Sequence, residues 1–131
     1  MIILGHPDIP FEPLHYVESV EEIAQTPAGA TLWLGPYRET VELAHHCLQH
    51  GLPYGVMAET LTDALLANAL GARYILVSEP LATTVQKAAE TYLFDAKILL
   101  PVTEESEMEE AAQAGIDGVI FQTAITFPES S

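Results

Sequence analysis

A histidine and an aspartate stand two residues apart in GHPD, at His6 and Asp8, directly after the apolar run MIIL. A carboxylate can orient an imidazole so that one ring nitrogen works as a general base, which makes His6 and Asp8 the candidate catalytic pair if the turn at Pro7 lets them meet. The same rigid loop can instead use both side chains to satisfy its own backbone groups. Arg38, in GPYR, is the candidate anchor for a substrate carboxylate or phosphate, with Tyr37 beside it in the candidate ligand-binding set. Its structural alternative is an ion pair with Glu42, one helical turn on. Glu59, Ser78, Glu79 and Thr103 each follow an apolar run and complete that set. Acids in a first helical turn and hydroxyls at a helix start also cap helices without any ligand.

Three of the five histidines and the only cysteine fall in LAHHCLQHG, residues 43–51. On a helix, Glu42, His46 and His50 share a face at four-residue spacing, and a pair of imidazoles so placed can hold zinc. The HExxH signature is absent and no second segment supplies another ligand, so no metal is expected. Val41, Ala44, Cys47 and Leu48 form the apolar stripe of the same helix, which turns Cys47 toward the core as a small hydrophobe. There is no GxGxxG, GxxxxGK[ST], GxSxG or CxxC, and no cofactor is expected. Lys97 would suit Schiff-base chemistry only inside a barrel, and its place at the start of a strand puts it at the amino end, away from the active edge.

These residues need a scaffold, and composition bounds it. The 131 residues are one domain's worth, and 49% of them are hydrophobic, enough to bury a core without staples. The expected division is one domain over 1–123 and a tail over 124–131, with Phe127 able to dock. Nineteen acids against four bases give a net charge of −15, which argues against nucleic acid or an anionic membrane surface as partner. The apolar runs are far too short to span a bilayer. MIIL lacks a signal's basic region, and one cysteine forms no internal disulfide, so a reducing cytoplasm fits.

The elements repeat. LAHHCLQHGLPYGVMA, ALLANALGARYILVS, AAETYLFDAKILLPV and EEAAQAGIDGVIFQT each run from a helical segment through a break to a strand-forming run. Gly51, Gly71 and Gly115 suit the left-handed residue just past a helix end; at the fourth break Asp95 is the expected one. Ser19 with Glu22, and Thr60 with Asp63, have capping-box spacing, and Ser78 and Thr103 are expected N-caps. Helices are predicted over 19–26, 37–50, 60–70, 79–93 and 104–114, and strands over 1–4, 14–17, 31–34, 54–58, 73–77, 96–101 and 117–121. Continuous rather than alternating apolar runs mark buried parallel strands. The fold class is therefore α/β, with a mostly parallel sheet of five to seven strands and helices on both faces in three layers. The alternative is a half-barrel of βα units pairing with a second copy, because an eight-fold barrel takes about 250 residues. GHPDIPFEP joins the first two strands by an extended excursion, which leaves their mutual pairing open.

In such folds, ligands sit beyond the carboxyl ends of the strands. The leading expectation is a small acidic cytoplasmic domain, non-catalytic, that binds a protein or a small ligand, with a homodimer expected from its open sheet edges. The alternative is a lyase or isomerase acting on a small carboxylated or phosphorylated metabolite, with His6 as base and Arg38 as anchor.

Overall fold

Helix α2 (Val41–His50) ends by folding its last carbonyls into a turn: the Leu52 N–H returns to Cys47 O at 2.9 Å and the Gly51 N–H to Leu48 O. This closure needs a left-handed residue at 51, where glycine takes φ 63° without steric cost. The same closure ends α3 (Leu61–Ala69), with Ala72 on Ala67, and α5 (Ser106–Gln113), with Ile116 on Ala111, and Gly71 and Gly115 hold the left-handed position as predicted. Helix α4 (Leu81–Thr91) ends likewise, Phe94 N–H on Ala89 O at 2.9 Å, but its left-handed residue is Leu93 at φ 52°, not Asp95. Hydrogen-bond register decides this: the left-handed residue stands immediately before the one that closes the turn, and Asp95 lies beyond it.

Helix starts follow the sequence in part. Ser19 caps α1 (Val20–Ile23) and Thr60 caps α3 through the amides of Glu22 and Asp63. At α4 and α5 the expected hydroxyl caps do not form, and a nearby carboxylate bonds the backbone around each helix start instead. Glu79 accepts from the Thr83 N–H and hydroxyl, and Glu107 accepts from the amides of Thr103 and Glu104. Glu79 reaches forward into the first turn of α4, whereas Glu107 reaches back from inside α5 to the amides ahead of it.

The structure, a computed structural model, describes residues 1–128. Its strands are β1 (Ile2–Leu4), β2 (Leu14–Tyr16), β3 (Thr31–Pro36), β4 (Tyr54–Met57), β5 (Tyr74–Leu76), β6 (Lys97–Val102), β7 (Gly118–Phe121) and β8 (Ile125–Thr126). All pair in parallel in one sheet, in the order β1-β7-β6-β5-β4-β3-β2-β8. The α/β class and parallel sheet are as predicted, and β8 brings the strand count above the expected range. β1 and β2 do not pair with each other: β1 lies against β7, and β2 between β3 and β8. The sheet also runs past the expected boundary at residue 123, since Ala124 is fully buried and Ile125 pairs with Leu14. Phe127 packs on Tyr16, with ring centroids 5.2 Å apart. The remainder of the expected tail, 129–131, lies outside the described residues.

From β2 to β7 the strand order follows chain order without reversal, and right-handed crossovers then place every helix on one side of the sheet. Packing follows that rule. Ile23 of α1, Cys47 of α2, Ala67 of α3, Val85 of α4 and Ala111 of α5 all join one cluster with Val56, Ile75, Ile98 and Val119 of the strands. The other face carries a second cluster, Leu4, Leu14, Trp33, Leu76, Leu99 and Ile120 with Ala124, against which Phe11 of the 5–13 excursion packs. These two clusters follow the half-barrel description. Curvature is visible in the chain itself: Phe121 pairs with Val102, and four residues later Ile125 pairs with Leu14 near the far end of the sheet. Four residues reach at most about 14 Å, so the sheet must curl until its ends approach. Leu14 and Leu99 are completely buried within one chain, so the concave face is already filled.

One close approach holds β1 in place. A Cβ on Gly118 would lie 2.5 Å from the Ile2 carbonyl oxygen and 2.8 Å from Leu99 Cδ2. Only a glycine lets β1 lie on β7 at that register. No helix among the described residues is long and apolar enough to cross a membrane.

Candidate functional site

The carboxyl ends of β1, β6 and β7 surround a cavity of about 750 Å³, a size typical of small-ligand sites. Gly5 turns the chain out of β1 at φ 94°, and the Thr123 hydroxyl donates to its carbonyl at 2.8 Å, tying the β1 loop to the segment after β7. This turn sets His6 into the wall of the cavity, its side chain 11% exposed and its ring edge-on to Phe121 at 5.7 Å. His6 Nε2 donates to Glu105 Oε1 at 2.5 Å, and Nδ1 accepts from the Asp8 backbone N–H at 3.1 Å. That pattern selects the Nε2–H tautomer, assigned from its partners, and leaves neither ring nitrogen free. To act as a base, His6 would have to release one of them.

The carboxylate that meets His6 is therefore Glu105, from the β6–α5 loop. The Asp8 carboxylate stands 4.0 Å from Nδ1, beyond hydrogen-bond reach. Asp8 and Glu105 are 84% and 74% exposed at the cavity rim, while Phe11, Phe121 and Val102 supply its apolar surface and Thr103, Gln122 and Thr123 its remaining polar groups.

The other sequence candidates lie elsewhere on the edge. Arg38 donates through Nε to Asp63 Oδ1 at 2.6 Å, not to Glu42, and its guanidinium carbon lies 5.8 Å from the Tyr37 ring. Asp63 is buried, and its second oxygen accepts from the Glu59 N–H at 3.1 Å. A buried acceptor that also fixes the start of α3 outcompetes an exposed i+4 partner for the one nearby cation. Tyr37 is buried in the outer core, so its ring is a packing element. Glu79 is occupied by Thr83, with Ser78 exposed next to it. Thr103 lines the cavity while its amide, with that of Glu104, holds the Glu107 carboxyl below the usual carboxylate range. Of the predicted residues, the cavity thus unites His6, Asp8 and Thr103. Arg38 opens on a second cavity of about 680 Å³ among Glu18, Glu39, Glu42 and His46.

The His46 and His50 rings lie 4.3 Å apart, but among the described residues no group of three or more His, Cys, Asp or Glu is arranged to hold a metal ion. Cys47 is buried, which pushes its thiol up to about 11 and keeps it neutral and unreactive. Lys97 is exposed at the start of β6, at the opposite end of the strands from the cavity.

Sequence reasoning named none of Glu105, Phe11, Phe121, Gln122 and Thr123 as site residues. The signal for the last two was present, since they directly follow a strand. For Glu105 it was not, because its partner His6 is 99 residues away on a strand whose neighbours the sequence does not reveal. No protein-family model matches the chain, and no curated protein sequence matches it.

Proposed function

We propose that this chain is a non-catalytic binding module that takes a small ligand in the cavity above β1, β6 and β7. One observation carries the reading: three loops distant in sequence converge on a single pocket of ligand size with apolar walls and a few polar groups. The engagement of both His6 nitrogens supports the non-catalytic part, since the imidazole that would act as base is already committed. The lyase or isomerase reading has less support. Its proposed base and its proposed anchor face different cavities, and a carboxylated or phosphorylated substrate would meet Asp8 and Glu105 at the rim.

The proposed setting is the cytoplasm, supported by a lone buried thiol that forms no disulfide. A homodimer would use the outer surface or a sheet edge, because the concave face is filled by its own chain; sedimentation velocity decides its presence. The binding proposal is tested by a fragment screen on ¹⁵N-labelled protein. Fragments that bind are expected to move the amides of Gly5, His6, Thr103, Gln122 and Thr123, and Gln122→Trp, which fills the cavity mouth, is expected to abolish those shifts. Binding confined to other surfaces, or shifts that persist in the filled variant, would overturn it.

A further inference from the structure

The hydrogen-bond inventory of the cavity is lopsided, and we infer that its ligand is a small organic ammonium: a protonated amine carried on an apolar or aromatic body. This rests on the binding reading above. The His6 Nε2–H is committed to Glu105, and the Thr123 hydroxyl proton to Gly5 O, so both side chains have given up their donors. The polar groups left among the lining residues are weighted toward acceptors: the carboxylates of Asp8 and Glu105 and the Thr123 oxygen only accept, and the Gln122 amide and Thr103 hydroxyl can do either.

Charge agrees with the inventory and is an independent observation. None of the chain's four cationic residues lines the cavity. Arg73 and Lys97 lie at the amino ends of β5 and β6, Lys87 is on α4, and Arg38 is held by Asp63. An entering cation therefore meets no cationic side chain in the cavity wall, and a net −15 field draws it in. A bare divalent ion would match the carboxylates but leave Phe11, Phe121 and Val102 unused. An organic anion would use the apolar wall and be repelled at the rim. A neutral donor on an apolar body would use the wall but not the charge, whereas a cation with an apolar body uses both.

The test is an NMR titration with three probes sharing one phenylethyl body: phenethylamine, 2-phenylethanol and 3-phenylpropanoate. Phenethylamine is expected to move the cavity amides most tightly, the alcohol more weakly and the acid not at all. Glu105→Gln and Asp8→Asn are each expected to weaken the amine about 2- to 5-fold, the range for an exposed charge pair, and to weaken the alcohol by less, because an amide oxygen still accepts from a hydroxyl. Both side chains are exposed, and Glu105→Gln keeps an acceptor for His6, so folding should survive, as thermal melts will verify. Equal or better binding of the alcohol or the acid, or amine binding indifferent to both variants, overturns the ammonium assignment while the binding module stands. If none of the three moves the cavity amides, the binding reading falls and this inference with it.

Discussion

The packing at Gly118 makes a prediction whose size can be worked out atom by atom. Two glycines, Gly55 and Gly118, sit inside strands in contact with the concave cluster. An added Cβ at Gly55 would meet Leu14 Cδ2, Tyr74 Cβ and Tyr74 O, each at 3.4 Å, which is ordinary van der Waals distance. At Gly118 it would meet the Ile2 carbonyl oxygen at 2.5 Å and Ile2 Cβ at 2.6 Å. Backbone atoms cannot rotate aside, so Gly118→Ala must push β1 off β7. Overpacking of this kind costs about 1–3 kcal/mol, and partial exposure of Leu4 and Ile2 adds on the order of 1 kcal/mol more. The sum is about 2–4 kcal/mol, a large share of a typical domain's stability. Gly55→Ala should stay within about 1 kcal/mol of wild type, its tight fit offset by the lower backbone entropy of the unfolded chain. Urea unfolding of both variants gives the comparison, and hydrogen exchange at Ile3 and Leu4 should accelerate only in Gly118→Ala. Equal midpoints for the two would refute the register of β1 on β7, and with it the joining of His6 to Glu105.

Leu93→Gly should raise stability by about 0.5–1 kcal/mol, because a left-handed leucine costs about 1–2 kcal/mol and this one, 84% exposed, loses almost no burial when removed; a rise of a few degrees in Tm is the check. Asp63→Ala should cost about 1–3 kcal/mol by stranding the Glu59 amide and the start of α3, whereas Arg38→Ala should cost under about 1 kcal/mol because water replaces an exposed guanidinium; urea midpoints separate them. The Cys47 thiol is raised from 9.0 to about 11 by burial, so folding favours its neutral form. Its contribution is complete below pH 9.0 and is lost as pH climbs toward about 11. Cys47→Ala should therefore flatten part of the alkaline fall in stability, with Tyr54, also raised by burial, accounting for a further part.

The elements from Thr31 to Phe121 were legible because each carries its own local signal: a glycine where a helix must close left-handed, a continuous apolar run where a strand is covered on both faces. Leu93 escaped because its turn is closed by a backbone bond rather than announced by a residue type. The position of β1 escaped for a different reason. Its three residues pair with a strand 116 positions away, and nothing in MIIL names that partner. The glycine opening GVIF was the nearest hint, since glycine inside a strand marks a close backbone approach. Arg38 was read against Glu42 because helical spacing is visible in sequence, while its actual partner comes from the next βα unit.

Strand order also explains why the cavity lies where it does. In an open parallel sheet, a crevice forms where successive connections leave in opposite directions. From β2 to β6 every connection leaves outward to a helix on the same side, and the Arg38–Asp63 pair ties the β3 connection to the next one. At β1 and β7 the chain does not enter an α-helix. The 5–13 excursion and the 122–124 turn both carry it toward β2 and β8, while the neighbouring β6 loop still departs outward to α5. Those divergent exits part the rim between residue 103 and residues 6 and 122, and His6 bridges the gap to Glu105. The pocket is thus a consequence of closing a curled sheet with segments too short to be helical crossovers, and a chain ending at Phe121, without the 122–124 turn and β8, should lose it while keeping the outer core of α2, α3 and α4, with amide shifts at Gly5 and His6 against those of the helices as the readout.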